Sequence, residues 1–152
     1  MKTNIKLDLS EDERRSLRKN KIRKNEILEF ASDELSFLLN ISELRARELY
    51  ALADFQRIPS IGIEFAKDLI FLGYYKVDDL RTKDGAELTN QYEIKKGYRT
   101  DPCVEDQFRL AVDFAKTSDY TKKWWDFTNE RKKYRSEFGY PNDRPTLNWT
   151  EI

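Results

Sequence analysis

The sequence of 152 residues contains no histidine. Imidazole is the side chain most used for proton transfer near neutral pH, and it is a frequent metal ligand. Its absence excludes histidine metal sites and the Ser-His and Cys-His pairs that activate nucleophiles. We therefore expect a protein that is not an enzyme and that holds no cofactor.

Cysteine is nearly absent, because Cys103 is the single one in the chain. No disulfide can form within the chain, which is typical of a reducing compartment. No apolar run approaches the roughly 18 residues that a membrane-spanning helix needs, and the N-terminus lacks the apolar region of a signal peptide. These absences predict a cytoplasmic protein with no membrane partner.

An excess of charge of one sign is also missing, since Lys+Arg and Asp+Glu both total 28. The whole molecule therefore has no positive field that would attract nucleic acid, and such binding would require a local patch. A hydrophobic content of 39% excludes a disordered chain, and a charged content of 37% predicts a well-solvated surface. This length fits one domain with tails.

Strand signals are scarce, whereas helix signals run along the chain. Ser10 and Glu13 have the spacing of a capping box, and Ser32 is expected to cap a second helix. Pro102 suits the first turn of a helix, and Gly97 suits the residue after a helix end. The fold class predicted is all-α, a compact helical domain with an aromatic-rich C-terminal helix and an irregular tail.

We expect a basic helical arm at residues 1–30 that packs on the domain, a core domain at 31–127 and a C-terminal extension at 128–152. The arm has seven cations and no acid in one helical stretch: Arg14, Arg15, Arg18, Lys19, Lys21, Arg23 and Lys24. A solvated helical face is the simplest interpretation, and contact with nucleic acid is the other. In the core, the apolar spacing over residues 104–115 predicts the most buried helix.

The segment over residues 58–63 lies between two helical patterns and resembles a helix-hairpin-helix motif, in which a hydrophobic-Gly-hydrophobic turn joins two helices. Gly62 permits close approach and unusual backbone angles, and the N–H groups that open the next helix form an anion site. In the wider class such hairpins hold the DNA backbone without reading its sequence. Two residues depart from the usual pattern: Ser60 stands where a first glycine is common, and Glu64 where a lysine often faces phosphate.

These features predict sequence-independent contact with DNA phosphates. The residues expected to make it are Arg57, Ser60, Ile61, Gly62, Ile63 and Lys67 in the hairpin and Arg14, Arg15 and Arg18 in the arm. In related hairpins, backbone carbonyls can also coordinate a monovalent cation that bridges to phosphate. No other metal is expected.

Four segments together resemble the pathogenicity-locus family of small bacterial helix-hairpin-helix proteins. They are residues 58–73, residues 75–88, Asp101-Pro102-Cys103-Val104-Glu105-Asp106-Gln107-Phe108-Arg109 and Trp124-Trp125-Asp126-Phe127. The resemblance is strongest over roughly residues 50–127. It implies a bacterial source and a helical fold, and it implies no established activity.

The main alternative is an adaptor that binds protein through the same helical scaffold without binding DNA. Neutral overall charge, Glu64 in the hairpin and the aromatic-rich tail favour it. A sequence-reading helix-turn-helix over residues 33–55, with Arg45 and Arg47 in the major groove, is a further alternative. We prefer that pair of helices as the first half of a doubled hairpin unit.

Three other patterns have an ordinary explanation beside a functional one. Asp84 followed by Glu93 and Lys95 matches a magnesium nuclease pattern, but that pattern normally lies on strands and this segment is predicted helical. Cys103 at a helix start could be a reactive thiol, although a core or near-core thiol is the better interpretation. The Trp124-Trp125 pair could stack bases, and packing of the last helix is the simpler role.

Overall fold

The computed structural model describes residues 4–152. Within them it has seven α-helices, four short 3₁₀ helices and no strand. The α-helices are α1 (Glu11–Lys19), α2 (Ser32–Leu39), α3 (Glu43–Phe55), α4 (Ile63–Phe71), α5 (Gly85–Lys96), α6 (Pro102–Thr117) and α7 (Thr128–Phe138). The 3₁₀ helices are Lys24–Glu29, Val77–Leu80, Trp124–Phe127 and Trp149–Glu151. The all-α prediction is confirmed, and none of the described helices is long and apolar enough to cross a membrane.

The helices fall into two compact units, one that ends at Val77 and one that begins at Asp78. The first unit contains α1 to α4, and the second contains α5 to α7 and the tail. The three segments expected from the sequence, with limits at residues 30 and 127, stay a prediction. Each unit is described by itself below.

Helix α3 is the centre of the first unit, because α2, α4 and the 3₁₀ helix Lys24–Glu29 all pack against it. Its residues Ala46, Leu49, Leu52 and Phe55 are buried, and their three-residue spacing keeps them near one face. Helix α3 buries seven of its 13 residues, whereas α6 buries seven of its 16. The prediction that α6 is the most buried helix is therefore wrong, since α3 has packing partners on several sides.

Most of the helix ends follow the local chemistry of the sequence. The Ser10 side chain accepts from the Glu13 N–H, and the Glu13 carboxylate accepts from the Ser10 N–H, so the capping box is present. Gly97 has a φ of 82°, as expected of a residue that ends a helix. Ser32 is not a cap as predicted, because α2 begins at Ser32 and Ala31 holds the N-cap position.

The basic stretch of the arm does not form one helix. Helix α1 ends at Lys19, and Asn20 then uses its side-chain amide to donate to the carbonyls of Ser16 and Leu38, at 2.8 and 3.1 Å. Lys21 has a φ of 55°, so the chain turns there before the next 3₁₀ helix. The seven cations are therefore divided among α1, the turn after it and the start of the 3₁₀ helix Lys24–Glu29.

In the second unit, α5 and α6 pack closely where Gly85 meets α6. A Cβ at Gly85 would lie 2.7 Å from the Cα of Arg109, so only glycine fits at this position. Helix α6 supplies Phe108, Ala111 and Phe114 to the core of this unit. The close approach explains why a glycine begins a helix that Asp84 caps by accepting from the Ala86 N–H.

Three buried carboxylates hold α7 and the tail of the second unit. The pairs are Glu105 with Arg135, Asp106 with Arg131 and Glu93 with Arg144, at 2.9, 2.6 and 2.8 Å. A buried charge is tolerated only when it is paired and hydrogen-bonded, so these arginines fix the position of the segments that carry them. No α-helix follows Phe138, and the predicted irregular tail is confirmed.

Candidate nucleic-acid interface

The turn between α3 and α4 is held by its own backbone and by two buried isoleucines. The N–H of Ile58 donates to the carbonyl of Phe55, and the N–H of Ile61 donates to the carbonyl of Ile58, at 3.1 and 3.2 Å. Ile58 and Ile61 are both fully buried. Anchored by these side chains, the turn presents Ser60, Gly62 and Ile63 at or near the surface.

Ser60, and not Gly62, has the unusual backbone angles of the turn. Ser60 has a φ of 64°, in the left-handed region that favours glycine. Gly62 has a φ of −105° and a ψ of −171°, an extended conformation that any residue adopts. The expectation of unusual backbone angles at Gly62 is therefore wrong. The left-handed conformation occurs instead at Ser60, the position where this motif commonly has its first glycine.

The N-terminus of α4 is open. Gly62 is the N-cap residue and provides no side-chain cap, and a Cβ built on it would meet nothing within 4 Å. The first N–H groups of a helix have no acceptor within that helix, and the helix dipole makes this end positive. A small anion could therefore approach the backbone at Gly62 closely, although exposed Glu64 in the first turn opposes it.

The two cations predicted beside the hairpin both have acidic partners. Arg57 donates from Nε to Asp54 at 2.8 Å, and Asp54 also accepts from the N–H of Val77. Lys67 forms an ion pair with Asp8 across a sequence separation of 59 residues. The hydrogen bond from Lys67 lowers the pKa of Asp8 and raises the pKa of Lys67.

The arm begins next to the hairpin. Arg45 of α3 binds the Glu13 carboxylate of α1 at 2.8 Å and the carbonyl of Asp8 at 3.0 Å. Attraction and hydrogen bonding to Arg45 lower the pKa of Glu13, mainly through the side-chain hydrogen bond. Within unit 1, these contacts connect α1 with α3, the helix that precedes the turn at residues 58–63.

The three arginines of the arm differ in their surroundings. Arg15 pairs with Asp12 at the surface. Arg14 and Arg18 line a groove, and neither forms an ion pair with any acid in residues 4–152. The basic run in the sequence reveals these cations but not the pairing of Arg15 with Asp12. The three-residue spacing from Asp12 to Arg15 was a usable signal, but nothing in the sequence connects Asp8 with Lys67.

The residues of the alternative sites have other roles in the structure. Glu93 is buried, binds Arg144 and accepts from the N–H of Thr100, so it is not a free metal ligand. No group of three or more acidic or cysteine side chains in residues 4–152 could hold a metal ion. Arg45 binds Glu13, and Arg47 lies 4.1 Å from the ring of Tyr75, so both arginines have partners within unit 1.

Cys103 and Trp125 are more exposed than a packing role requires. Cys103 is exposed, and the prediction of a core or near-core thiol is wrong, because α6 turns its first residues outward. Partial burial, and then the charge of Asp101, raise the pKa of this thiol, which disfavours a reactive thiolate. Trp125 is 53% exposed and meets Trp124 edge to face at 5.4 Å.

A family model described as Cdd1, pathogenicity locus, matches residues 48–133. The chain belongs to the pathogenicity locus family. It is also 30% identical over 88 residues to the mitomycin resistance protein McrB of Streptomyces lavendulae, a match that covers 58% of this chain and 83% of McrB. No solved structure matches the chain.

The region that matches the family model includes only part of the candidate interface. Residues 48–133 contain the hairpin at 58–63 and the buried acids Glu105 and Asp106. They leave out Arg14, Arg15 and Arg18. The matched region therefore includes the turn and the buried pair of Asp106 with Arg131. Arg135 and Arg144, which pair with Glu105 and Glu93, lie outside it, and so does the cationic arm.

Proposed function

We propose that the chain is a non-catalytic module that binds nucleic acid through backbone phosphates, with the α3–α4 turn acting as a helix-hairpin-helix. One phosphate oxygen lies at the open N-terminus of α4, where it accepts from backbone N–H groups. Because the contact involves the backbone and no base edge, it is independent of sequence.

The observation that carries this proposal is the uncapped N-terminus of α4 at Gly62, with open space in front of its Cα. Helix N-termini of this kind bind anions because unpaired N–H groups and the helix dipole point at the same place. The left-handed Ser60 turns the chain immediately before these N–H groups. The geometry of the turn therefore supports a phosphate contact even though Ser60 and Glu64 depart from the usual residues.

The two cations near the hairpin contribute in different ways. The side chains of Lys67 and Asp8 are 44% and 60% exposed, and solvent-exposed ion pairs contribute little to stability, so a phosphate can replace Asp8 as the partner of Lys67. Arg57 keeps its pair with the buried Asp54 and adds its positive charge near the phosphate. Arg14, Arg15 and Arg18 extend the positive surface along α1, which contacts α3 through Glu13 and Arg45.

The test is fluorescence anisotropy of labelled single-stranded and duplex DNA across a salt series, with the variants Gly62→Asp and Gly62→Asn. Both side chains can cap α4, and both should leave the fold at least as stable as in the parent, since Asp and Asn are better N-caps than glycine by a few tenths of a kcal/mol. Only Asp adds a negative charge where the phosphate would lie. We expect micromolar binding that weakens with salt, is lost in Gly62→Asp and is partly kept in Gly62→Asn.

A triple variant of Arg14, Arg15 and Arg18 to alanine tests the arm separately. It should weaken binding and reduce the salt dependence, because fewer counterions are released when fewer phosphates are neutralised. Absence of binding by the parent protein at low salt would contradict the whole proposal. Equal binding by the parent and Gly62→Asp would show that the phosphate does not lie at α4.

A protein-binding adaptor is the second candidate, and exposed aromatic side chains in unit 2 favour it. Trp125 and Phe138 are 53% and 65% exposed, and aromatic residues are enriched at protein interfaces. An apolar contact of this kind should persist in high salt. Association with a protein partner that survives high salt, together with no DNA binding, would favour the adaptor.

A further inference from the structure

A groove of about 370 Å³ lies at the surface of unit 1, along α1 and the turn that follows it. Its floor is aliphatic and consists of Leu9, Leu17 and Ile22. Its rim consists of four cations, Arg14, Arg18, Arg23 and Lys24, and no acid lines it. None of the four forms an ion pair within the part of the chain that the structure describes. A ligand for this groove needs an apolar group with negative charges beside it.

Unit 1 also presents a surface of that kind. Phe37 on α2 is 86% exposed, more than any other large hydrophobic residue in the described chain. Asp33 and Glu34 are exposed and lie four and three residues before Phe37, so all three share one face of α2. Such a large exposed aromatic side chain is typical of a surface that contacts a partner.

The two acids are already oriented by the start of α2. One oxygen of Asp33 accepts from the N–H of Glu34, and one oxygen of Glu34 accepts from the N–H of Ala31, at 2.9 and 3.1 Å. These contacts limit the rotation of both side chains. The second oxygen of each carboxylate remains able to accept from an arginine.

The groove and Phe37 both lie near the contact between the end of α1 and α2. The side-chain amide of Asn20, just after α1, donates to the carbonyl of Leu38, the residue after Phe37, at 3.1 Å. Arg18 and Ile22 lie two residues on either side of Asn20 and line the groove. A twofold axis near this junction would therefore bring the groove of each copy to Phe37 of the other.

We propose that the chain forms a twofold dimer in which Phe37 of each copy enters the groove of the other, and the carboxylates of Asp33 and Glu34 beside it pair with the groove arginines. The aliphatic floor suits a phenyl ring because the ring has no polar edge that burial would leave unsatisfied. A nucleobase fits less well, since the groove has no aromatic platform for stacking. The dimer contact does not include the hairpin, so the dimer can form whether or not DNA binds at Gly62. Arg14 and Arg18 belong to both proposed surfaces, and each can contact either DNA or the partner copy, but not both at once.

Sedimentation velocity from low to several hundred micromolar protein tests the dimer, with Phe37→Ala and the matched control Leu44→Ala. Leu44 is 54% exposed on α3 and has no part in the proposed contact. Both residues are exposed, so neither change should disturb folding. We expect a monomer–dimer equilibrium whose dissociation constant rises at least about tenfold in Phe37→Ala and stays near the parent value in Leu44→Ala.

A charge exchange tests the pairing itself. The double variants Arg14→Glu/Arg18→Glu and Asp33→Lys/Glu34→Lys should each be monomeric, because like charges would face each other at both contacts. Their mixture should form a heterodimer, since both contacts then join opposite charges. Circular dichroism of each variant checks that the helix content of the protein is unchanged.

A parent protein that is monomeric over the whole concentration range would overturn the proposal. Equal weakening by Phe37→Ala and Leu44→Ala would do the same, because association would then not depend on Phe37. Two folded charge variants that remain monomeric when mixed would show that the groove and α2 are not partners.

Discussion

Ser60 is a residue whose backbone suits its side chain poorly. At a φ of 64° its Cβ is crowded by the backbone, a conformation that costs a residue other than glycine about 1–2 kcal/mol. Ser60 offsets part of this through its hydroxyl, which donates to the carbonyl of Pro59 at 2.5 Å. The turn is therefore held against local strain by the burial of Ile58 and Ile61 on either side.

The change Ser60→Gly should stabilise the protein. Glycine adopts this φ without crowding, and its greater freedom in the unfolded chain offsets part of the gain, so we expect a rise of about 0.5–1 kcal/mol in the free energy of unfolding. Urea denaturation followed by circular dichroism measures it.

Ser42→Gly is the matched control for this change. Ser42 has a φ of −64°, and its hydroxyl accepts from the N–H of Arg45, so glycine there should lower the free energy of unfolding by a few tenths of a kcal/mol. A loss of stability in Ser60→Gly as large as that in Ser42→Gly would show that the left-handed backbone at residue 60 is not strained.

At the scale of elements, the sequence predicts helices well where their ends have local chemistry. Helix α5 begins after Asp84 and stops at Gly97, and α6 begins at Pro102, as their cap residues indicate. The all-α class follows from these signals and from the scarcity of strand patterns. Local rules suffice here because a cap involves residues within one turn of each other.

The same local rules fail where a distant residue decides the structure. The basic run appeared to be one helix, but Asn20 ends α1 by donating to Leu38, which lies 18 residues away. The candidate site shows the same limit. Arg57 and Lys67 could be found from their place beside the turn, whereas the ion pair of Lys67 with Asp8 comes from the fold alone.

Helix α1 makes a pH-dependent contribution to stability through Glu13. The pKa of Glu13 is lowered from the ordinary value of 4.5, first by the hydrogen bond from Arg45. A carboxyl whose folded pKa is depressed stabilises the protein above its unfolded pKa, and this contribution is lost as the pH falls through the folded pKa. Stability should therefore decline below about pH 4.5, the unfolded value of the glutamate.

The variant Glu13→Gln tests this contribution. Glutamine keeps an oxygen that can accept from the Ser10 N–H, so the capping box remains while the charge opposite Arg45 is lost. We expect the variant to be less stable than the parent at pH 7 and the difference to shrink as the pH falls below 4.5. Urea denaturation from pH 7 to pH 3 gives both curves. A difference that stays constant over this range would contradict the role of the charge.

At the scale of the whole chain, both units bury carboxylates, and those of unit 2 are the more deeply buried. Glu13 and Asp54 in unit 1 are each 6% exposed, whereas Glu93, Glu105 and Asp106 in unit 2 are at most 1% exposed. Each of the three acids in unit 2 is paired with an arginine from later in the chain. Removal of one partner from a buried pair is costly because it leaves the other charge buried without compensation.

The tail of unit 2 is held by the pair of Glu93 and Arg144, which are 1% and 17% exposed. Arg144 also lies 3.5 Å from the ring centroid of Tyr140. We expect Arg144→Ala to lower the free energy of unfolding by about 2–4 kcal/mol and to speed proteolysis of the tail. Arg81→Ala is the matched control, because Arg81 and Asp78 are 63% and 78% exposed and their pair should contribute little.

The double variant Glu93→Gln/Arg144→Ala separates the lost ion pair from the unpaired charge. A glutamine oxygen can still accept from the N–H of Thr100, which the Glu93 carboxylate does at 2.9 Å. If the cost of Arg144→Ala arises mainly from an uncompensated buried carboxylate, the double variant should be more stable than the single variant, although it carries one change more. Urea denaturation of the four proteins in this cycle gives the coupling free energy between the two residues. A double variant that is less stable than Arg144→Ala would show instead that the arginine acts through packing against Tyr140 and the tail.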